Sequence, residues 1–138
     1  MKPTLPAFLM AALLILGQSA PNQSAAAEMA PEITITDPAP RGPGGSDRMD
    51  VIAGTTKNAP PDAIVIVYAY AGGVFWVQPL ASQNATSIAK DGRWSTPTHL
   101  GDIYVALLTK KSWKAPPKLG SLPPVGGDIL AVHQIGGR

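Results

Sequence analysis

The chain is 138 residues long with fifteen prolines, fourteen glycines and no cysteine, which excludes a disulfide framework, a thiol nucleophile and a lipid-modified cysteine. A formal charge of +2 becomes +1 once Lys2 is set aside, so no global field favours nucleic acid or an anionic membrane. Runs of Ile, Val and Leu between the Pro and Gly breakers exclude a disordered chain and leave a folded one with many turns.

Residues 1–27 follow the secretory pattern: a positive charge at Lys2, an apolar stretch from about Leu5 to Gly17, and Ala25, Ala26 and Ala27 as an A-x-A cleavage site. Cleavage is expected between Ala27 and Glu28. The apolar stretch is shorter than the roughly 20 residues a membrane-spanning helix needs, so no span is expected after signal removal. Residues 28–138 then form one domain with a single core.

Along that domain no apolar pattern of period 3.6 persists, whereas short β-branched or aromatic runs recur between turn residues. Ile33–Thr36 is the first predicted strand, followed by the segment DPAPRGPGGS, Asp37 to Ser46, whose prolines and glycines predict an exposed loop. Met49–Thr55 is the second, and Lys57–Asp62, with Asn58 and Pro60-Pro61, the next connection. Ala63–Tyr70 and Val74–Gln78 flank Ala71-Gly72-Gly73 closely enough for a hairpin, since glycine supplies the positive φ of tight turns. Asp91-Gly92 turns into Arg93–Thr96, and Ile103–Thr109 and Ile129–Ile135 complete the set. About seven short strands predict an all-β fold, an antiparallel β-sandwich.

Alternation puts Ile64, Ile66, Tyr68 and Tyr70 on one face of their strand and Val65, Val67 and Ala69 on the other. Both faces are apolar, so the strand is central and something covers its second side; the same holds for Ile103–Thr109. Phe75 and Trp76 are adjacent and point to opposite faces, so one of them is exposed or covered by a loop. Trp94, just after the Asp-Gly turn, is expected in the core. If Val65, Val67 and Ala69 face inward, Tyr68, Tyr70 and Trp76 make an outer aromatic strip; period alone leaves the inward face open.

The opening ITIT before a Pro/Gly-rich turn, the GTT closing the second strand, DGRWS and LGDIYVALL together resemble bacterial immunoglobulin-like domains of secreted proteins. More narrowly, IVIVYAYAGGVFWVQP with the following ATSIAKDGRWS is similar to immunoglobulin-like accessory modules of secreted polysaccharide-active enzymes. The likeness spans about Ile33 to Val132 and rests on structural motifs, none of them catalytic. It implies an immunoglobulin-like sandwich and a helper role beside carbohydrate chemistry; no enzyme adjoins the domain in this chain, so that role falls to the module alone or to a separate partner.

No reaction machinery is visible. The only glutamates, Glu28 and Glu32, sit near the cleavage site, and Asp91, Asp102 and Asp128 stand at turns, where aspartate bonds the local backbone. No serine lies in G-x-S-x-G, and His99 and His133 are far apart in sequence. His99 with Asp102 offers two metal ligands in one loop, too few for a site, and Ser46-Asp47 with Asp50 is too sparse for a calcium loop. His133 reads as a polar outward residue and Asn84-Ala85-Thr86 as a turn. The chain is expected to be no enzyme and to need no cofactor or metal.

Thr109 to Asp128 holds Lys110, Lys111, Lys114 and Lys118 around Trp113, with two proline pairs and no acid before Asp128. Loops of this length inside compact domains are often binding elements. In one reading Leu119, Leu122 and Val125 pin a polyproline-like strap over the sandwich and the lysines are merely solvated. In the other, Trp113 stacks on a flat ligand while the lysines attract acidic groups. The candidate ligand-binding residues are therefore Tyr68, Tyr70, Trp76, Trp113, Lys110, Lys111 and Lys114. The function they suggest is an exported, secreted or periplasmic, non-catalytic module that binds carbohydrate, polysaccharide above all. The alternative is a structural domain docking another exported protein on its Ile64–Tyr70 face.

Overall fold

The computed structural model describes residues 29–138, so the predicted signal segment and its cleavage site lie outside the described residues. The strands are β1 (Glu32–Asp37), β2 (Met49–Lys57), β3 (Ala63–Ala71), β4 (Val74–Gln78), β5 (Arg93–His99), β6 (Ile103–Lys110), β7 (Lys118–Leu119) and β8 (Ile129–Gly136). They form two antiparallel sheets, β1-β2-β5 and β7-β4-β3-β6-β8, an all-β sandwich. All seven predicted strands are present. The eighth, β7, lies inside the Thr109–Asp128 segment read as irregular. Among the described residues no helix is long and apolar enough to cross a membrane.

Local chemistry explains the connections. β3 and β4 meet through Gly72 and Gly73, whose φ values of 62° and 83° are the left-handed pair a two-residue hairpin turn demands. The 91–92 turn is locked by Asp91, whose Oδ1 accepts the Arg93 N–H at 3.1 Å, and by the Gly92 carbonyl, which accepts the Thr56 N–H at 2.8 Å. Where β4 ends, the following loop continues the ladder: Thr86 exchanges two 2.9 Å backbone bonds with Val65.

Val65, Val67 and Ala69 face inward, with Tyr104, Ala106 and Leu108 of β6 beside them and Ile33, Ile35, Ile52 and Trp94 of the other sheet opposite. Each fully buried aliphatic side chain here contributes about 1.5–3 kcal/mol. Trp94 closes on Gly54, where a Cβ would strike the indole and the Thr34 carbonyl.

The outer face of the five-stranded sheet carries a second core of Ile66, Tyr68, Phe75, Val77, Val105 and Leu107. Trp113, Ala115, Leu119 and Leu122 cover it, which is why β3 and β6 are apolar on both sides. The strap reading of this segment is the observed one, with a correction: Val125 pins nothing and is 61% exposed.

Two other expectations change. The Asp37–Ser46 loop is not simply exposed: Ala39 is fully buried and the Pro40 carbonyl accepts Tyr104 Oη at 2.7 Å. His133 does not point outward. It stands opposite Ala106 on the inner face, and its Nδ1 accepts the Ile35 N–H at 2.8 Å, tying β8 to β1 across the sheets. A ring nitrogen that accepts is unprotonated, so His133 is the neutral Nε2–H tautomer in this contact.

Candidate functional site

The one large exposed aromatic ring among the described residues is Trp76, 45% exposed on β4. Register puts it opposite Ala69, on the inner face of its sheet. The three-stranded sheet ends at β5 and leaves this flank of β4 open. The indole is nonetheless held: its Nε1–H donates to the Ala71 carbonyl at 3.0 Å, and Lys118 Nζ stands 5.9 Å from the ring centre.

Trp76 walls an open cavity of about 500 Å³ between the β4 edge, the 44–46 loop and the end of β5. Leu80, Leu100, Pro79 and Pro117 make its lining largely apolar, and Gln78 and His99 supply polar groups. No Asp or Glu lines it. Gln78 is buried at 3%, and its amide is oriented from both ends. Nε2 donates to the Trp76 carbonyl at 3.1 Å, while Oε1 accepts the His99 N–H at 2.7 Å and faces His99 Nδ1 at 2.9 Å. An amide oxygen only accepts, so Nδ1 is the donor in that contact. The cavity can therefore stack a flat apolar face and hydrogen-bond a hydroxyl through the polar groups of its lining.

The residues singled out from the sequence do not converge. Tyr68 and Tyr70 pair with Val77 and Phe75 on the outer face, whereas Trp76 pairs with Ala69 on the inner one, so the expected strip of Tyr68, Tyr70 and Trp76 is not formed. Tyr68 is fully buried and donates from Oη to the Pro116 carbonyl at 2.7 Å; burial pushes its phenol well above the usual range. Tyr70 packs its ring 4.8 Å from that of Phe75, and Trp113 is half-buried in the same cluster. Lys110, Lys111 and Lys114 are exposed. Lys110 pairs with Ala63, six residues along β3 from Ala69, so it lies about 20 Å from the Trp76 position.

Gln78, His99, Leu80 and Leu100 line the cavity and were not singled out as binding residues. The run Val74–Gln78 held part of the signal, because Trp76 and Gln78 are two apart and share a face. The union of Gln78 with His99 joins two sheets and has no local signature.

A second, shallower concavity of about 620 Å³ lies between Ile88, Thr55 and Ser95, but the aromatic in its lining, Trp94, is 3% exposed. Trp94 Nε1 is buried without a partner in the described residues. No group of three His, Cys, Asp or Glu side chains converges among the described residues. The described residues thus form an antiparallel β-sandwich with an exposed aromatic cleft. Compared with protein-family models, curated proteins and solved structures, the chain matches none.

Proposed function

We propose that the protein is an exported, non-catalytic, immunoglobulin-like module that binds carbohydrate in the cleft walled by Trp76. The observation that carries this reading is the Trp76 ring, fixed through its Nε1 yet 45% exposed, beside a buried Gln78 that orients His99. A sugar presents an apolar C–H face to such a ring and hydroxyls to the polar groups around it. The resemblance of the VFWVQP and DGRWS segments to accessory modules of polysaccharide-active enzymes supports the same ligand class. Export rests on the pattern of residues 1–27.

The test is a glycan array probed with residues 28–138 and with Trp76→Ala. Sugar binding that disappears in the variant is the expected result. Binding unaffected by Trp76→Ala, or none at all, overturns the reading.

Docking on another exported protein through the Ile64–Tyr70 face loses its surface, because Ile66 and Tyr68 lie under the strap. An observation favours a different docking face: Met49 and Val51 are 46% and 53% exposed on β2. Pull-down from the secreted fraction with Val51→Asp separates this reading, since loss of a captured protein would assign that face and leave the cleft unaffected.

A further inference from the structure

We infer that the cleft selects acidic sugars, so that its ligand is a polymer containing uronic acid residues and not a neutral glycan. This deepens the reading above and rests on it. The argument starts from charge. The lining holds no carboxylate, and the nearest charge known at its aromatic wall is a cation, Lys118, with Nζ 5.9 Å from the centre of the Trp76 ring. The backbone puts Lys118 next to the ring. It pairs directly with Trp76 in the β4–β7 ladder, and the neighbouring Pro117 carbonyl accepts the Val77 N–H at 2.9 Å. A two-residue strand thus delivers one ammonium group to one indole.

No acid neutralises it. The single ion pair found among the described residues is Arg93 with Asp91, on a different turn. An ammonium held over a ring is well placed to exchange that weak contact for a carboxylate, which forms a charge-assisted hydrogen bond of about twice the strength of a neutral one. A pyranose seated against Trp76 brings its C–H face to the ring, and a carboxylate on the edge of that sugar comes within reach of the flexible Lys118 side chain beside the indole. The His99 ring, part of the same lining, hydrogen-bonds a hydroxyl of the same or an adjoining unit. A neutral sugar satisfies two of these three partners and leaves the cation where it was.

The selectivity is local. Lys110 and Lys111 lie at the other end of the five-stranded sheet, beside Ala63 and Asp62, and contribute only a screened, diffuse attraction.

The experiment is native affinity electrophoresis of residues 28–138 through gels containing polygalacturonate or alginate, with hydroxyethylcellulose, arabinoxylan and dextran as neutral comparators. The expected result is retardation by a uronate polymer stronger by about tenfold than by any neutral one, the worth of one charge-assisted bond. Lys118→Met should abolish that preference, Lys118→Arg should keep it, and high salt should reduce it. A Lys110→Met, Lys111→Met double variant should leave it unchanged. Equal retardation on neutral polymers, or indifference to Lys118→Met, overturns this inference and leaves carbohydrate binding standing. A loss in the Lys110, Lys111 variant as large as in Lys118→Met overturns it as well, because the attraction would then be diffuse. No retardation on any polymer overturns both. Lys118 is exposed, so its replacement leaves the fold intact, which near-ultraviolet circular dichroism of each variant checks.

Discussion

The side-chain oxygen of Gln78 takes the backbone N–H of His99 at 2.7 Å and faces its ring Nδ1 at 2.9 Å, joining the last residue of β4 to the last residue of β5. These strands belong to different sheets, so one buried amide both braces the sandwich and orients the cleft histidine. Gln78→Leu keeps the bulk and removes the acceptor, stranding the His99 N–H. A half-buried donor left without a partner costs about 1 kcal/mol, and the urea midpoint should fall accordingly at unchanged m-value. A change below about 0.5 kcal/mol, the scatter of ordinary surface substitutions, would rule the brace out.

Tyr68 seats the strap. Its ring is fully buried on the outer face and its hydroxyl reaches the Pro116 carbonyl, forty-eight residues away in sequence. Tyr68→Phe removes the bond and keeps the packing, with an expected loss of about 1 kcal/mol. The effect should be local, because Lys114 and Lys118 flank the freed carbonyl in an exposed segment. Trypsin should cut at those lysines faster in the variant while the rest of the chain resists. Cleavage no faster than in the parent would mean that Trp113 and Leu122 hold the strap without the bond.

Those two contacts also divide what was legible in the sequence from what was not. Period-two alternation in Ala63–Tyr70 and Ile103–Thr109 marked both strands as central and covered on two sides, and the structure bears that out with two cores. Trp94 and the Gly72-Gly73 turn were legible for local reasons, a turn pair and a positive φ. The inward face of β3 was not, because both of its faces are apolar and the cover comes from residues 113–122, whose prolines hid a strand of two residues. The cleft was half legible. The VFWVQ run puts Trp76 and Gln78 on one face, but which face Tyr68 shares with β4 depends on a register set by the hairpin, and that register separated Trp76 from the tyrosines. His99 entered only through the meeting of two sheets.

Gly54 permits the closest approach in the three-stranded sheet. A Cβ there would collide with the Thr34 carbonyl and with Trp94, whose Cζ2 would be 2.6 Å away. Neither the β1 backbone nor a ring buried at 3% can withdraw without losing ladder bonds or core packing. Gly54→Ala should therefore destabilise by more than about 3 kcal/mol, despite adding a single methyl group and a better propensity. Thermal unfolding reads this directly, and Gly72→Ala is the contrast: nothing lies within 4 Å of its added methyl, so only its positive φ is penalised. If the two variants melt together, close packing at Gly54 is not what fixes the sheet.

High pH should unfold this protein through its buried tyrosines. Burial raises the phenol of Tyr68, and it raises that of Tyr104 too, where the Gly101 N–H bond partly opposes the rise and Asp50 and Asp102 add to it. In the unfolded chain both titrate near the ordinary value of about 10. Above that pH the unfolded state has lost protons that the folded state keeps, so the folded state becomes the poorer competitor. The stabilisation is complete below about pH 10 and drains away as pH climbs toward the folded-state values, at up to about 1.4 kcal/mol per pH unit for each group. Replacing both residues by Phe removes the hydroxyl bonds to Pro116 and Pro40 and lowers stability at neutral pH. The same replacement should flatten the decline above pH 10, because it removes the two phenols whose burial resists ionisation. Denaturant titrations at a series of alkaline pH values would show the two curves converging; parallel curves would place the alkaline transition on other groups.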